Sequence, residues 1–245
     1  MPTITQKDLG TMAAFFERSW TFPWKSIQEQ FSPPEAKSIL DAYLEALDVS
    51  EAYHRAKSLK DKELRKLLGK TFAETKLDDA EETARKNKDS ILAKYVAEQA
   101  IKKNYWQTAY DIAVRFRNNE LKEKSRDGFA INNPAEAYKY AEQKGDEELK
   151  NRVKELYGSD SDCETDEVVE VYELALAEGD PQFLRKAQTY LVQRSPDIAA
   201  TEGMTHNDKV LVHDGLEAFL EEERRFTKPE VIETLRKLFQ EYYTL

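Results

Sequence analysis

A spaced pattern of small and large apolar residues recurs along the middle of this 245-residue chain. Each copy has two apolar residues four positions apart, usually both alanine, and a large apolar residue eight positions after the second. The copies begin at Ala52, Ala80, Ala109, Ala137 and Val171, so their starts are 28, 29, 28 and 34 residues apart. Periods of this length are typical of repeat architectures, in which each repeat is one small supersecondary unit.

The pattern predicts that each repeat is a pair of short helices. Residues four apart share one helix face, and alanines on that face let a neighbouring helix approach closely. The later leucine or phenylalanine marks the start of the second helix. Gly145-Asp146 and Gly179-Asp180 each place a glycine stop directly before an aspartate cap. One such hairpin cannot bury its apolar stripe alone, so we expect the repeats to stack.

Two stretches carry a likeness to a known class: residues 137–146 (AYKYAEQKGD) and residues 172–180 (YELALAEGD). The pattern resembles that of tetratricopeptide-like α-solenoids and covers residues 49–193. It departs from that class in its shorter period and in lacking the Trp, Gly and Pro of the usual motif. The resemblance implies an all-α fold: a right-handed superhelical stack of short antiparallel helix hairpins.

The flanking sequences predict helical caps at both ends of the stack, because terminal repeats must shield their outer face. Residues 1–48 form the expected N-terminal cap, which is rich in aromatic residues around Pro23. Residues 194–245 form the expected C-terminal cap, with a loop or weak helix at 195–208 and helices at 209–226 and 228–245. The predicted organisation is therefore a cap, a repeat region at 49–193 and a second cap.

Charge and cysteine content narrow the classes of function and location. The net charge of -10 is uneven, since residues 151–245 carry 11 Lys and Arg against 21 Asp and Glu. That region would repel the phosphates of a nucleic acid, which argues against nucleic-acid binding there. Cys163 is the one cysteine, so the chain has no disulfide framework. No apolar run is long enough to span a membrane, and the N-terminus lacks a signal-peptide pattern. These features predict a cytoplasmic, or at least intracellular, protein.

Tyrosines occupy the same position in four of the five repeats: Tyr53, Tyr110, Tyr138 and Tyr172. If the first helices line a concave face, these rings form a ladder that suits a partner protein or peptide, with Trp106 and Arg115 at its border. In the alternative interpretation each ring fills the interface of its hairpin. We therefore predict a protein-binding scaffold or adaptor, with these six residues as its candidate partner-binding site.

Nucleic acid is the alternative partner. Residues 54–126 are mildly basic and contain the aromatic pair Tyr105 and Trp106, and helical repeats can bind RNA one base per repeat. Over residues 51–150, however, 22 Lys and Arg stand against 19 Asp and Glu, and such a near match is typical of ordinary solvated helix faces.

Motifs of catalysis, metal binding and cofactor binding are missing from the sequence. There is no His-Glu-x-x-His, no paired cysteines and no glycine-rich phosphate loop. Cys163 lies among acidic residues, which disfavour the thiolate. His213 and Glu217 would share a helix face, but no third ligand is evident nearby. The sequence thus predicts no enzyme, no cofactor and no metal site.

Overall fold

The structure is a computed structural model that describes residues 5, 8–12, 15, 22–158 and 164–223. The described residues form helices and no strands. The chain divides into two compact units, residues 1–125 (unit 1) and residues 126–245 (unit 2). The predicted caps at 1–48 and 194–245 do not coincide with this division. The predicted helix at 228–245 lies outside the described residues.

Unit 1 is a succession of helices joined by short turns. In chain order they are α1 (Trp24–Gln30), α2 (Pro33–Ala46), α3 (Val49–Ser58), α4 (Lys62–Thr75), α5 (Leu77–Asn87), α6 (Ser90–Lys102) and α7 (Trp106–Arg115). Helix α8 (Asn119–Asn132) contains the boundary between the two units. Each helix packs against its neighbour in sequence from α3 to α7, and α4 also packs against α6. This succession agrees with the predicted helix pairs.

Unit 2 continues the same organisation. Its helices are α9 (Pro134–Lys144), α10 (Glu147–Leu156), α11 (Thr165–Glu178), α12 (Pro181–Arg194), α13 (Pro196–Thr205) and α14 (Lys209–Glu223). The pairs α9–α10, α11–α12 and α13–α14 pack as hairpins. Equivalent helices of successive hairpins also meet, because α9 packs against α11 and α12 against α14.

A common turn joins the two helices of every hairpin. A residue with positive φ lies one or two positions after the end of the first helix, and the residue after it caps the second helix. The positive-φ residues are Lys60, Lys88, Arg117, Gly145, Gly179 and Asn207, with φ between 49° and 73°. The capping residues are Asp61, Asp89, Asn118, Asp146, Asp180 and Asp208, whose side-chain oxygen accepts a bond from the backbone N–H three residues later. A positive-φ stop followed by an Asp or Asn cap is a tight helix junction.

This turn identifies α13–α14 as a sixth hairpin of the same kind. Ala199, Gly203 and Leu211 reproduce the repeat's spacing, and Asp208 is its cap. Of the two expectations for residues 195–208, a loop or a weak helix, the structure has the helix, because α13 covers Pro196–Thr205. Gly203 replaces the second alanine because a Cβ there would lie 2.6 Å from the backbone nitrogen of Val212.

The cores explain the spacing of the apolar residues. In unit 1 the repeat alanines and leucines form one buried cluster, to which Tyr43, Tyr53 and Phe72 contribute aromatic area. In unit 2 Phe183 lies at the centre of an aromatic group, 5.7 Å from the ring centroid of Tyr138 and 6.3 Å from that of Tyr157. Burial of such large rings removes much apolar surface from water and stabilises the hairpins that contain them.

Candidate functional site

The four repeat tyrosines are buried. Their exposed fractions are 0% for Tyr53, 1% for Tyr110, 1% for Tyr138 and 0% for Tyr172. The expectation of an exposed tyrosine ladder is therefore wrong, and the alternative, in which these rings fill the helical interface, describes their positions. A binding role for these rings stays a prediction, but a buried ring presents no surface to a partner.

Two of these tyrosines connect successive hairpins through their hydroxyl groups. Tyr53 donates to Asp89 at 2.9 Å, and Tyr172 donates to Asp208 at 3.1 Å. In both pairs the acceptor is the capping aspartate of the next hairpin, 36 residues further along the chain. Burial raises the pKa of both phenols, so each remains a hydrogen-bond donor at neutral pH. The tyrosine position of the repeat is therefore structural in these hairpins.

Tyr138 has a different environment from Tyr53 and Tyr172. Its ring stacks on Phe183, and the ammonium group of Lys150 lies 4.9 Å from the ring centroid. Its hydroxyl oxygen is buried and has no hydrogen-bond partner among the described residues. A buried hydroxyl without a partner costs free energy, so the Tyr138 hydroxyl is less well satisfied than those of Tyr53 and Tyr172.

The remaining two predicted site residues lie at opposite ends of helix α7. Trp106 is the first residue of α7 and packs, half-buried, against the core of unit 1. Arg115 is the last residue and is exposed. Nine residues of helix separate them by roughly 13 Å along the axis. Trp106 and Arg115 therefore lie apart on α7, and their partner-binding role stays a prediction.

Many basic residues of the 54–126 region are paired with acids of the same unit. Arg65 and Lys57 both contact the buried carboxylate of Asp89, at 2.5 and 3.1 Å. Arg85 bridges Glu81 and Asp111 at 2.6 and 2.5 Å. Cations held in this way are less available to a phosphate backbone than free ones.

The clearest charged concavity is a groove in unit 2, named the acidic groove. It lies between the start of α9 and the length of α11, with a volume of about 740 Å³. Its carboxylates are Glu136, Glu164, Asp166, Glu167, Glu170 and Glu173. No lysine or arginine is among its described lining residues. Nearby Lys139 pairs with Glu170, which leaves a strong excess of negative charge.

A second concavity lies in unit 1, between α1, α2 and α4, with a volume of about 500 Å³. Its apolar lining includes Trp24, Phe31, Leu40, Leu44 and Leu67. Lys37 and Asp41 stand among its polar residues. An apolar groove with a few polar groups can accept an apolar side chain or a small ligand.

Sequence reasoning missed the acidic groove because its members are far apart in the chain. Glu136 and Glu173 line the same groove only because α9 packs against α11. The available signal was the acidic balance of residues 151–245, which the charge count had already detected. Charge counts give the sign of a region, whereas packing decides which carboxylates share a surface.

No family model, curated protein or solved structure matches the chain. Among the described residues, no helix combines the length and the apolar character needed to cross a membrane.

Proposed function

We propose that the chain is a helical-repeat scaffold that binds a lysine- or arginine-rich segment of a partner protein in the acidic groove. The six carboxylates lining a groove without lysine or arginine carry this proposal. The proposal includes a tetratricopeptide-like, right-handed superhelical stacking of the hairpins, and an intracellular location, which the single cysteine favours.

The arrangement of the groove supports an extended or helical partner segment. The first helices of two successive hairpins pack against each other along it: α9 supplies Glu136, and α11 with the residue before it supplies the other five carboxylates. Exposed ion pairs contribute about 0–1 kcal/mol each. Several pairs formed at once would give a useful affinity, and the negative field would also speed the encounter with a cationic partner.

The first testable prediction concerns three exposed groove carboxylates. A Glu136→Gln/Glu164→Gln/Asp166→Asn variant should bind a fluorescent lysine-rich peptide about tenfold more weakly, because three ion pairs of about 0.5 kcal/mol each are lost. Fluorescence anisotropy at low salt measures the affinity.

The matched control neutralises three exposed carboxylates of unit 2 outside the groove lining: Glu147→Gln/Asp197→Asn/Glu222→Gln. The two triple variants have the same net charge, so this control should change the affinity by less than about twofold. Equal weakening in both variants would assign binding to net charge alone, and no binding by the wild type at low salt would end the proposal.

Nucleic acid binding through residues 54–126 is the second candidate function. The exposed Arg115 and the exposed Lys102 and Lys103 at the end of α6 favour it, whereas the ion pairs of Arg65 and Arg85 disfavour it. Binding of a labelled single-stranded RNA with a steep dependence on salt concentration would support this candidate. Absence of retardation at low salt would remove it.

A further inference from the structure

Three metal-ligating side chains converge in unit 2, where the end of α13 meets α11. Glu202 and His206 are four residues apart at the end of α13, and Glu173 comes from α11. One donor atom from each lies within 4.8 Å of the other two. We propose that Glu173, Glu202 and His206 form a binding site for a divalent transition-metal ion such as Zn²⁺.

The distances between the donor atoms favour a shared ion over direct hydrogen bonds. Nε2 of His206 lies 3.7 Å from Oε1 of Glu173 and 3.6 Å from Oε2 of Glu202. Both distances exceed the range of a nitrogen–oxygen hydrogen bond. Donors that share a tetrahedral Zn²⁺ at bonds of about 2.0–2.1 Å lie roughly 3.3 Å apart, so small side-chain movements complete the site.

The surrounding residues hold the imidazole in place. The ring of Tyr172 packs edge-on against His206 with centroids 5.8 Å apart. Tyr172 is fixed in turn by its hydrogen bond to Asp208, which also accepts from Nε2 of Gln188 at 2.6 Å. A ligand whose orientation is set by neighbours loses little freedom when it binds a metal. These contacts therefore hold the His206 side chain in one orientation before a metal ion binds.

The donor set indicates the class of ion. One imidazole and two carboxylates suit Zn²⁺ and other first-row divalent ions, because imidazole is a poor ligand for Ca²⁺ and Mg²⁺. Two carboxylates neutralise the charge of the ion. Three protein ligands leave a fourth position for water or for a donor from another molecule. Side-chain exposures of 28% for His206 and 22% for Glu202 allow the ion to enter.

The spacing of the ligands explains why the sequence did not predict this site. The sequence drew attention to His213 and Glu217, which share a helix. In the structure a third donor lies near His206 and Glu202, which have the same four-residue spacing in the opposite order. The third ligand, Glu173, lies 29 residues before Glu202 and approaches only when α11 and α13 are folded.

The experiment uses the full chain, freed of metal with EDTA and transferred to chelator-free buffer. Isothermal titration with Zn²⁺ should show one ion per chain with a dissociation constant of about 10 µM or lower. Replacing Zn²⁺ by Co²⁺ should give the intense visible absorption of a tetrahedral site. His206→Ala and, independently, the half-exposed Glu173→Gln should each weaken Zn²⁺ binding at least about tenfold.

Two controls keep the test specific. His213→Ala removes an exposed histidine 3.2 Å from Asp214, and Glu136→Gln removes a carboxylate of the acidic groove. Both should retain wild-type Zn²⁺ affinity. A wild type without saturable binding, or equal losses in the control variants, would overturn the metal site. Glu173 also lines the acidic groove, so His206→Ala, which leaves the groove lining intact, separates loss of the metal site from loss of peptide binding.

Discussion

At the scale of residues, the buried carboxylate of Asp89 organises the contact between two successive hairpins. It accepts hydrogen bonds from the hydroxyl of Tyr53, the guanidinium of Arg65 and the backbone N–H of Leu92. Lys57 completes the set at 3.1 Å. Burial acts to raise the pKa of Asp89, but these hydrogen bonds outweigh it and hold the pKa below its usual value.

Removal of this carboxylate should destabilise the protein strongly. Asp89→Ala removes the carboxylate partner of Arg65 and deprives the Tyr53 hydroxyl of its acceptor. We expect the free energy of unfolding at pH 7 to fall by about 3 kcal/mol. Urea unfolding monitored by far-UV circular dichroism measures the change. The control is Asp61→Ala, which removes a cap at the equivalent position of the preceding hairpin and should cost about 1 kcal/mol.

The same variant should show a defined pH dependence. The pKa of folded Asp89 is lowered, and the unfolded carboxyl has a pKa of about 3.9. The stabilisation is therefore complete well above pH 4 and is lost as the pH falls through the lowered folded pKa. The difference between wild type and Asp89→Ala should shrink between about pH 5 and pH 3. A difference that stayed constant over this range would assign the effect to packing alone.

The sequence predicted the position of the repeat tyrosines but not their direction. A residue beside a packed alanine can point into the next hairpin or towards solvent, and the pattern is the same in both cases. The decisive partner of Tyr53 is Asp89, and the partner of Tyr172 is Asp208. Each acid lies one hairpin further on, so only the stacking of hairpins shows that the phenol is buried.

At the scale of elements, local signals predicted the helices well. Alanine pairs predicted the positions of the first helices, and the cap residues Asp146 and Asp180 predicted where α10 and α12 begin. The sequence pattern did not predict the sixth hairpin, because its second small residue is Gly203 and its tyrosine position holds Ala200. The boundary between the units at residue 125 falls inside the continuous helix α8, so no break in the helical pattern marks it in the sequence.

The turn between the two helices predicts substitutions of opposite sign. Gly145 has φ of 65° with open space around its Cβ position, so Gly145→Ala should cost about 1 kcal/mol through the backbone alone. Lys88 adopts φ of 49° at the equivalent turn, so Lys88→Gly should stabilise by about 0.5 kcal/mol. Urea unfolding midpoints measure both changes.

Lys86→Gly is the matched control for the turn, because Lys86 lies inside α5, two residues before Lys88. Glycine in a helix interior destabilises by about 1 kcal/mol. Lys86→Gly and Lys88→Gly should therefore shift the midpoint in opposite directions. Destabilisation by both variants to the same extent would show that the positive φ of Lys88 costs nothing.

At the scale of the whole molecule, charge separates the two units. Unit 1 contains 22 Lys and Arg against 20 Asp and Glu, and unit 2 contains 15 against 27. The net charges are therefore +2 and -12. Charge repulsion of this size opposes compaction of unit 2 and, at the same time, attracts a cationic partner. The acidic groove gathers six of these carboxylates on one concave surface of unit 2.

This asymmetry predicts that salt stabilises unit 2 more than unit 1. All three tryptophans of the sequence fall within residues 1–125, so tryptophan fluorescence reports that part of the chain, whereas far-UV circular dichroism reports the helices of both units. Salt screens repulsion over a Debye length of about 10 Å at 0.1 M. Raising NaCl should therefore increase the urea midpoint measured by circular dichroism more than the midpoint measured by fluorescence.

Neutralisation of Glu147, Asp197 and Glu222 should reduce the salt effect, because less charge remains to be screened. Equal shifts by both probes would contradict a repulsion confined to unit 2.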